Sequence, residues 1–437
     1  MKKVFNNAFI ITQNSKREIF TNGMIIVNKN EIEYVGPTIE IEGQYRIIDL
    51  NGRIVLPGFI NNHTHLQAST LKGSLEGLTL EQYLFYNEKI REKHNSETQK
   101  RYRETAISVG ILESLKSGIT TCCSSNCEEL AKIHGLRMYT GPFIMNVERL
   151  MNDYLKLYSN KSVTLNRNDM VSPMLFVHSL YKIGLDILPA IKKILDDLKD
   201  CLLSIHVAET KEEVDYICSK TGKYPIELLD HFGLVTSKTL LVHCTFIKDF
   251  EVEIIANRRA KIVVCPVSNI RLGEEIPNIP LFKKKRIKFC IATDGLATNG
   301  SFDMLLNARI TYFAILLKYG ERLSSQFLLD MISVNAAEVL ENKAIGSLDK
   351  GKKADFLVLK KDILALHPTI NLIDNLIFSC NYEHVEDVYI NGNQIIKNGD
   401  FGFNFDGLLN EYNNMATNLK KKLDKEQNKN EYRCPYF

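Results

Sequence analysis

The sequence predicts an α/β protein, namely a (β/α)8 TIM-like barrel with a small β-sandwich domain formed by both chain ends. The first observation is that both ends contain short apolar strands separated by turns such as Asn-Gly and Asn-Lys-Asn. The second is that the long middle alternates runs of Val, Ile, Leu and Phe with stretches of helical spacing. That alternation is typical of a parallel sheet covered by helices, and its length suits the strand–helix units of a barrel.

The two chain ends define the predicted sandwich domain. Near the start, "VFNNAFIIT", "GMIIVNKNEIEYVG" and "YRIIDLNGRIVLPG" read as strands joined by turns. Near the other end, "GSLDKGKKADFLVLK" and "VEDVYINGNQIIKNG" repeat this pattern with Asp-Lys-Gly and Asn-Gly turns. We therefore expect residues 1–57 and 346–404 to form one β-sandwich domain around an inserted barrel domain of residues 58–345.

The middle of the chain supplies the candidate barrel strands, at 59–65, 118–124, 137–143, 174–178, 202–206, 239–243, 261–265 and 287–293. Stretches with helical spacing, such as "ETQKRYRETAISVGILESLKSG" and "ILPAIKKILDDLKD", lie between them. After the sandwich domain, residues 405–437 are predicted to form a helix that ends in a charged tail.

The composition argues against several classes of protein. The formal net charge is +3 over 437 residues, and no basic stripe precedes the extreme C-terminus, which argues against a nucleic-acid partner. No apolar run approaches the roughly 18–20 residues of a membrane span. The ten cysteines are scattered, many of them in apolar runs, as is typical of buried free thiols. We therefore expect a cytoplasmic protein without a membrane partner.

Rare polar residues lie at the C-terminal ends of the predicted strands. "INNHTH" places two histidines one residue apart, and such residues point to the same side of an extended strand. "LFVH", "LLSIH", "TLLVH" and "KFCIATD" each end an apolar run with a polar side chain. In a (β/α)8 barrel these strand ends meet at the face that carries active sites. The residues concerned are His63, His65, His178, His206, His243 and Asp294.

Four of these residues form a candidate metal site. Three imidazoles and one carboxylate suit a single divalent ion, Zn²⁺ in preference to Fe²⁺, with one coordination position left open. The candidate ligands are His63, His65, His206 and Asp294. The alternatives are a histidine that is hydrogen-bonded in the core and an ordinary Asp-Gly turn. A cysteine site is disfavoured, because "CCSSNC" has no second pair at zinc-finger spacing.

Two further residues are candidates for proton transfer. Glu209, in "HVAET", lies just beyond the third histidine ligand, where a carboxyl group in a closed pocket could shuttle a proton. The alternative is a solvated glutamate in the first turn of the next helix. His243 is a candidate to orient and polarise a water molecule at the ion, and Asp294 to accept a proton from it. Ser268 and Asn269 are expected to line the pocket or brace the neighbouring strands.

Five short motifs follow one another along the chain: "LPGFINNHTH", "SIHVAET", "LLVHC", "CPVSNIRLG" and "IATDGLATNGSFDML". Together they resemble the amidohydrolase superfamily, in particular its branch of S-adenosylhomocysteine and methylthioadenosine deaminases, guanine and cytosine-type deaminases and triazine hydrolases. The resemblance continues to "GSLDKGKKADFLVL" and so covers nearly the whole chain. It implies one metal ion on the same four ligands, with Glu209 and His243 as catalytic partners. His178 stands where binuclear relatives have a carboxylated lysine, which implies that a second ion is absent.

The resemblance also implies residues that bind the substrate. His178 corresponds to a histidine that contacts the substrate base. Glu92 falls at the distance from the second metal histidine at which methylthioadenosine-type deaminases bind ribose hydroxyls, and Glu88 is the alternative. Arg149 is the arginine nearest to the place where a substrate carboxylate is expected. Cys265, in "VCPVSN", departs from the histidine that homocysteine-nucleoside deaminases often have there.

The expected activity is hydrolytic deamination of an adenine-type nucleoside. The candidate substrates are methylthioadenosine, S-adenosylhomocysteine, 5′-deoxyadenosine and adenosine, and the departures near Arg149 and at Cys265 weaken S-adenosylhomocysteine. The alternatives are deamination of aminofutalosine, of guanine or of cytosine, and displacement of chloride or an alkylamine from a triazine ring. A catalytically idle scaffold is a further alternative, although no ligand is missing. We expect a small-molecule substrate and a homo-oligomer.

Overall fold

A computed structural model of the chain describes residues 1–74, 77–92, 96–145, 170–198, 200–403 and 405–427, except the side chains of residues 87, 89–92, 96, 426 and 427. In these ranges the strands are β1 (Lys2–Ile11), β2 (Ile19–Asn28), β3 (Glu31–Pro37), β4 (Tyr45–Asp49), β5 (Ile54–Pro57), β6 (Phe59–Asn61), β7 (Ile119–Cys123), β8 (Arg137–Thr140), β9 (Phe143–Ile144), β10 (Val171–Ser179), β11 (Leu202–Val207), β12 (Thr239–His243), β13 (Lys261–Val264), β14 (Phe289–Ile291), β15 (Phe356–Leu359), β16 (Val385–Ile390) and β17 (Asn393–Ile396).

The α-helices of the described ranges are α1 (Leu80–Glu92), α2 (Ser96–Lys116), α3 (Glu128–His134), α4 (Leu180–Ile183), α5 (Leu188–Asp197), α6 (Lys211–Thr221), α7 (Pro225–His231), α8 (Asp249–Arg258), α9 (Pro266–Arg271), α10 (Ile279–Lys284), α11 (Leu296–Asn299), α12 (Met304–Tyr319), α13 (Ser325–Met331), α14 (Val334–Val339), α15 (Leu372–Ser379) and α16 (Asp406–Gln427). Short 3₁₀ helices lie at Leu66–Leu71, Leu185–Ile187, Leu364–Leu366 and Tyr382–His384.

Eight parallel strands form a nearly closed barrel. They pair in the order β14-β13-β12-β11-β10-β8-β7-β6, and the short β9 pairs with β10. Side chains connect the two ends of this order, because Thr293 N–H donates to Asn61 Oδ1 at 3.1 Å and Asn61 Nδ2 donates to Thr293 Oγ1 at 2.7 Å. Asp294 N–H also donates to the carbonyl oxygen of His63 at 3.1 Å. The rim of the barrel is therefore continuous where β6 approaches β14.

The barrel strands are buried on both faces. Every residue of β7, β11, β12 and β13 is buried, since helices cover the outside and packed side chains fill the inside. This is why the sequence shows continuous apolar runs there instead of alternating apolar and polar residues. Each polar side chain at the C-terminal end of such a run is carried to the same rim.

Both chain ends build the second sheet. Its order is β17-β16-β15-β5-β1-β2-β3, and β4 pairs with β1. Strands from the two ends of the chain meet at β5, which pairs with β1 in parallel and with β15 in antiparallel orientation. Phe5, Phe356 and Tyr389 pack in its core with ring centroids 4.7–5.0 Å apart. The barrel and this second β domain confirm the predicted fold class.

Two of the predicted strands end before the polar site residues near their C-terminal ends. The strand expected at 59–65 ends at Asn61, so His63 and His65 lie in the irregular segment after β6 and not on an extended strand. The strand expected at 287–293 covers only Phe289–Ile291. In both places the main chain leaves the sheet before the polar residue, and Asp294 has a φ of 63°. The side chains converge because of these turns and not because of strand alternation.

The C-terminal helix α16 packs against the barrel. Glu411 Oε1 accepts a hydrogen bond from Arg101 Nε on α2 at 2.6 Å. Tyr412 OH donates to the carbonyl oxygen of Ser69 at 2.5 Å. Leu419 belongs to an apolar cluster that also contains residues of α1 and of the 3₁₀ helix after His65. None of the described helices, α16 included, combines the length and the apolar character that crossing a membrane requires.

Candidate active site

The strand ends bring six polar side chains to one rim of the barrel: His63, His65, His178, His206, His243 and Asp294. The register of β11 and β12 places Val207 opposite His243, so the last residues of these two strands lie at the same level. The imidazole centroids of His206 and His243 are 5.5 Å apart. Residues that are distant in the sequence are therefore neighbours at the rim.

The four expected metal ligands lie together. The candidate ligand atoms of His63, His65 and His206 are all within 4.8 Å of one another. His206 Nε2 is 3.1 Å from His63 Nε2. Asp294 Oδ1 is 3.1 Å from His65 Nε2 and 3.4 Å from His63 Nε2. These residues form a group of three imidazoles and one carboxylate that is able to hold a metal ion.

Hydrogen bonding leaves the facing atoms of this group available. His206 Nδ1 lies 2.8 Å from the carbonyl oxygen of His178, to which it must donate, and its Nε2 therefore keeps a lone pair. Asp294 Oδ1 is buried and accepts no hydrogen bond from any described residue. A buried carboxylate oxygen without a partner is rare in folded proteins. A divalent ion would provide that partner, so these residues fit a metal ion.

The carboxylate of Asp294 is held in one orientation. Its Oδ2 accepts hydrogen bonds from Ser268 Oγ at 2.6 Å and from Thr298 Oγ1 at 2.7 Å, which turns Oδ1 towards the histidines. Burial by itself raises the pKa of Asp294, but His63 and His65 outweigh it and hold this pKa well below its usual range. Asp294 is therefore ionised, as a metal ligand must be.

Burial keeps the imidazoles of His63 and His206 neutral. It lowers the pKa of His63 to about 4, and the neighbouring His65 contributes in the same direction. Burial and the surrounding histidines also place the pKa of His206 well below its usual value. A neutral imidazole has the free lone pair that binds a metal ion.

Glu209 lies at the same rim beside His243. Its Oε1 is 3.5 Å from His243 Nε2, and the residue is 8% exposed. Burial, followed by the negative charge of Asp294, raises the pKa of Glu209 to about 8. A carboxyl group with such a pKa can donate and accept a proton near neutral pH. The buried position argues against the alternative of a solvated glutamate.

Asn269 determines the tautomer of His243. Asn269 Nδ2 donates to Thr245 Oγ1 at 2.7 Å and to the carbonyl oxygen of Glu275 at 3.0 Å, so its Oδ1 faces the imidazole. That oxygen lies 2.9 Å from His243 Nδ1 and accepts a hydrogen bond from it. Burial lowers the pKa of His243, and the neutral ring therefore presents an unprotonated Nε2 to Glu209.

A cavity with a largely apolar wall adjoins these groups. The His178 ring centroid is 5.7 Å from that of Phe143 and 6.3 Å from that of Tyr181. Burial, assisted by the positive charge of Lys182, lowers the pKa of His178 to about 3. Other wall residues are Gln67, Ala68, Leu80, Tyr83, Leu84, Met145 and Ala297. Apolar walls with a few polar groups are typical of sites that bind small organic molecules.

The side chains of two predicted substrate-binding residues lie outside the part of the chain that the structure describes. Arg149 lies within 146–169, outside the described residues. Glu92 is the last residue of α1, but its side chain is likewise outside the described part of the chain. Glu88, the alternative to Glu92, has its Oε1 3.2 Å from Lys182 Nζ. The assignment of ribose hydroxyls to Glu92 therefore stays a prediction.

The residues that hold the site in place are only partly evident from the sequence. Ser268 and Asn269 are expected to line the pocket or brace the neighbouring strands, and in the structure they bond to Asp294 and His243. Thr298 is not among the predicted residues, although it follows Asp294 by one helical turn, a spacing that could have indicated it.

The chain is similar to known proteins over most of its length. Residues 54–395 match the sequence model of the Amidohydrolase family. A 5-methylthioadenosine/S-adenosylhomocysteine deaminase of Bacillus cytotoxicus is 29% identical over 432 residues, which cover 92% of this chain and 95% of that protein. The structure of an adenosine deaminase from Xanthomonas campestris with bound zinc has a TM-score of 0.88 at 21% identity, covering 97% of this chain and 98% of its own. That of the atrazine chlorohydrolase from Arthrobacter aurescens, complexed with zinc, has a TM-score of 0.85 at 19% identity, covering 94% and 99%. Both structures share the fold described above.

Proposed function

Because the chain belongs to the amidohydrolase family, we propose that it is a metal-dependent aminohydrolase that converts an adenine-type nucleoside to its inosine analogue and ammonia. The observation that carries this proposal is the buried Glu209 carboxyl group beside a cluster of three histidines and Asp294. The deaminase name of the Bacillus cytotoxicus relative supports the substrate class. Candidate substrates are methylthioadenosine, S-adenosylhomocysteine, 5′-deoxyadenosine and adenosine.

The proposed metal ligands are His63, His65, His206 and Asp294. Neutral imidazoles with one carboxylate suit Zn²⁺, and Fe²⁺ is the alternative. Zinc is the ion named for the two similar structures, which favours it here. When bound, the ion supplies Lewis acidity, which promotes the ionisation of water near neutral pH.

The protein groups transfer the protons of the reaction. His243 Nε2 accepts a hydrogen bond from the attacking water and orients it towards the ring carbon that bears the amine. Asp294 accepts the proton that this water releases as it adds to the carbon. Glu209 donates a proton to the adjacent ring nitrogen. Asp294 passes the proton it took from water to the exocyclic nitrogen, which leaves as ammonia while the new hydroxyl group on the ring carbon returns a proton to Glu209 and becomes the carbonyl. One water molecule is consumed for each ammonia released.

The substrate-binding roles are proposed for His178, Glu92 and Arg149. His178 is a neutral ring beside Phe143, with Nδ1 2.9 Å from Ser179 Oγ, and would offer its other nitrogen to the base. Glu92 is preferred to Glu88 for the ribose hydroxyls, because the Glu88 carboxylate is paired with a lysine. Arg149 would bind a carboxylate on the far side of the substrate, if the substrate has one.

We assign catalysis to a barrel domain of residues 58–345, supported by a β domain of residues 1–57 and 346–404. Residues 405–437 are assigned to the C-terminal helix and tail. A homo-oligomer and the absence of a nucleic-acid partner stay predictions, which light scattering and a binding assay on the purified protein would check.

Triazine hydrolysis is the competing reaction for the same site. Glu209 favours deamination, since protonating a ring nitrogen helps most when the leaving group is poor. Free-base deamination and aminofutalosine deamination use the same chemistry and differ only in the remote part of the substrate.

The test is ammonia release by the zinc-loaded protein from a panel of adenine nucleosides, aminofutalosine, free bases and chlorotriazines. We expect release from at least one adenine nucleoside and none from triazines. Glu209→Gln should lower kcat by about 10²- to 10⁴-fold, because it removes the proton donor. Glu212→Gln, an exposed glutamate in the first turn of the helix that follows Glu209, is the matched control and should keep wild-type activity. Activity confined to free bases would refute the nucleoside assignment, and no ammonia from any member of the panel would refute the deaminase.

A further inference from the structure

A second buried glutamate lies directly behind Glu209. Glu213, in the first turn of α6, is 0% exposed. Its Oε2 accepts a hydrogen bond from the main-chain N–H of Glu209 at 2.9 Å, and interaction with the N–H of Ala208 also favours the ionised form of this carboxyl group. The roles proposed above leave Glu213 without a function. Its contacts connect it to the main chain that carries the proton donor.

The segment held by Glu213 has an unusual backbone. After β11 ends at Val207, Ala208 has a φ of 49°, in the left-handed region that residues with a Cβ rarely adopt. This turn directs Glu209 towards the rim, but it also leaves buried N–H groups that no strand or helix can pair. The carboxyl group of Glu213 accepts a hydrogen bond from one of them, the N–H of Glu209. It therefore stabilises the turn that sets the direction of Glu209.

These contacts differ from ordinary helix capping. A glutamate at the third helical position usually bonds back to the N–H of the N-cap residue. Here the N-cap is Thr210, whose hydroxyl accepts the Glu213 N–H at 3.1 Å, but the Glu213 carboxyl group reaches past it to the preceding residue, Glu209. That residue is the proposed proton donor itself.

We propose that Glu213 is a positioning residue, which holds the 207–210 turn so that the Glu209 carboxyl group reaches the substrate ring. This inference rests on the proposed function, because that function gives Glu209 the proton transfer. Glutamine at this position would preserve the arrangement: its amide oxygen can accept the same N–H groups. Its NH₂ would replace Oε1, which accepts no hydrogen bond from the described residues.

The chain contains a matched control in Glu251. It occupies the same helical position in α8, is also 0% exposed, and accepts the N–H groups of Ile226 at 2.7 Å and Lys248 at 2.9 Å. These partners begin α7 and α8, and neither lies on the cavity wall. Glu251→Ala therefore measures what the loss of a buried capping carboxyl group does to stability alone.

The experiment compares Glu213→Ala, Glu213→Gln and Glu251→Ala with the wild type. For each protein, thermal unfolding and metal content are measured, together with kcat and KM for the nucleoside that the substrate panel identifies. We expect both alanine variants to unfold at lower temperature. Only Glu213→Ala should lose kcat, by about 10- to 100-fold, with KM and bound metal little changed, because the proton donor is displaced and the ligands are not. Glu213→Gln should keep kcat within about threefold of the wild type.

Equal kcat values for Glu213→Ala and Glu251→Ala would overturn the inference. A loss of kcat in Glu213→Gln as large as that in Glu213→Ala would also overturn it.

If Glu213→Ala does not fold, Glu213→Asp replaces it, since the shorter aspartate side chain cannot reach the same N–H groups. Crystal structures of the glutamine and aspartate variants provide a readout that does not need activity. If Glu209 is displaced in Glu213→Asp but not in Glu213→Gln, the positioning role is supported. If Glu209 has not moved in either variant, the positioning role is refuted. A wild type that releases no ammonia refutes the proposed function and leaves this structural comparison in force.

Discussion

Asp294, His206 and His243 each have one polar atom bonded to the protein and another that faces the cluster at the rim. Asp294 has Oδ2 bound by two hydroxyl groups and Oδ1 turned to the histidines. His206 and His243 each donate through Nδ1 and keep Nε2 unprotonated. This division fixes orientation without using the reactive atom, which is how supporting residues prepare a metal or a proton-transfer site.

Asn269→Ala removes the acceptor that fixes the His243 tautomer. We expect kcat to fall by about 10- to 100-fold with bound metal unchanged, because Nε2 is then protonated part of the time. Steady-state kinetics with metal analysis checks this. Asn278→Ala is the control: Asn278 caps α10 by accepting the Leu281 N–H at 3.1 Å and should affect stability alone. Wild-type kcat in Asn269→Ala would contradict the role of the amide.

Glu213 should also make stability depend on pH. Burial raises the pKa of Glu213 to about 8 from its ordinary value of 4.5, so between these values the folded chain keeps a proton that the unfolded chain loses. Unfolding then releases a proton, and the free energy of unfolding contributed by this group falls as pH rises through that window. Glu213→Gln removes this titrating carboxyl group. Urea unfolding from pH 5 to pH 8 should show the variant gaining stability relative to the wild type, and a constant or decreasing difference would contradict this.

The sequence indicates the reacting side chains better than the residues that hold them. His206, His243 and Asp294 follow apolar runs, and their position at the ends of these runs therefore reveals them. Glu213 cannot be recognised in this way, because Thr210 and Glu213 have the spacing of an ordinary capping box. Only the turn at Ala208, which depends on tertiary packing, shows that its carboxyl group reaches beyond the cap.

Among the elements, α16 connects to the cavity wall from outside the barrel. Leu419 packs in one apolar cluster with Leu80 and Tyr83, which line the cavity, and Tyr412 bonds to Ser69 in the 3₁₀ helix after His65. The helix therefore supports the wall segments that follow His63 and His65. From the sequence, this segment could be predicted as a helix but not as part of the wall, because its partners are distant in the chain.

Leu419→Ala should weaken this support. We expect the free energy of unfolding to fall by about 2 kcal/mol, because a mostly buried leucine is truncated. KM should rise and bound metal should stay unchanged, since Leu80 and Tyr83 lose a packing neighbour and the ligands do not. Urea unfolding and substrate kinetics measure both effects. Leu409→Ala, on the same helix but 38% exposed, should change neither, and an unchanged KM in Leu419→Ala would contradict the connection.

At the scale of the whole molecule, a buried ion pair joins the barrel to the β domain. Arg137, at the start of β8, donates from Nε to Asp355 Oδ2 at 2.8 Å and from Nη2 to Asp355 Oδ1 at 3.1 Å. Asn391 contributes its N–H to the same carboxylate at 2.7 Å and its Oδ1 to the guanidinium at 2.6 Å. The pair lies at the opposite end of the strands from the reactive rim. Its geometry fixes how the two units meet.

Asp355→Ala should destabilise the protein by about 3–5 kcal/mol, because it removes the carboxylate that balances a buried guanidinium. Urea unfolding measures this, and kcat at low temperature should stay near the wild-type value. Asp196→Ala breaks an exposed pair with Lys192 and should lower the free energy of unfolding by at most about 1 kcal/mol. An equal decrease in the free energy of unfolding in the two variants would contradict a larger contribution from the buried pair.

The fold class could be predicted because apolar runs and helical spacing alternate over the whole middle of the chain. The closure of the barrel could not be predicted, because the hydrogen bonds between Asn61 and Thr293 join residues at opposite ends of that alternation. The same holds for Arg137 and Asp355, whose pairing depends on the docking of the two chain ends against the barrel.

Metal content tests the central claim most directly, namely that one divalent ion binds where four distant side chains meet. We predict about one equivalent of Zn²⁺ or Fe²⁺ per wild-type chain by elemental analysis, and a substoichiometric amount in His206→Ala and Asp294→Ala. Two equivalents in the wild type, or full occupancy in both variants, would contradict the account.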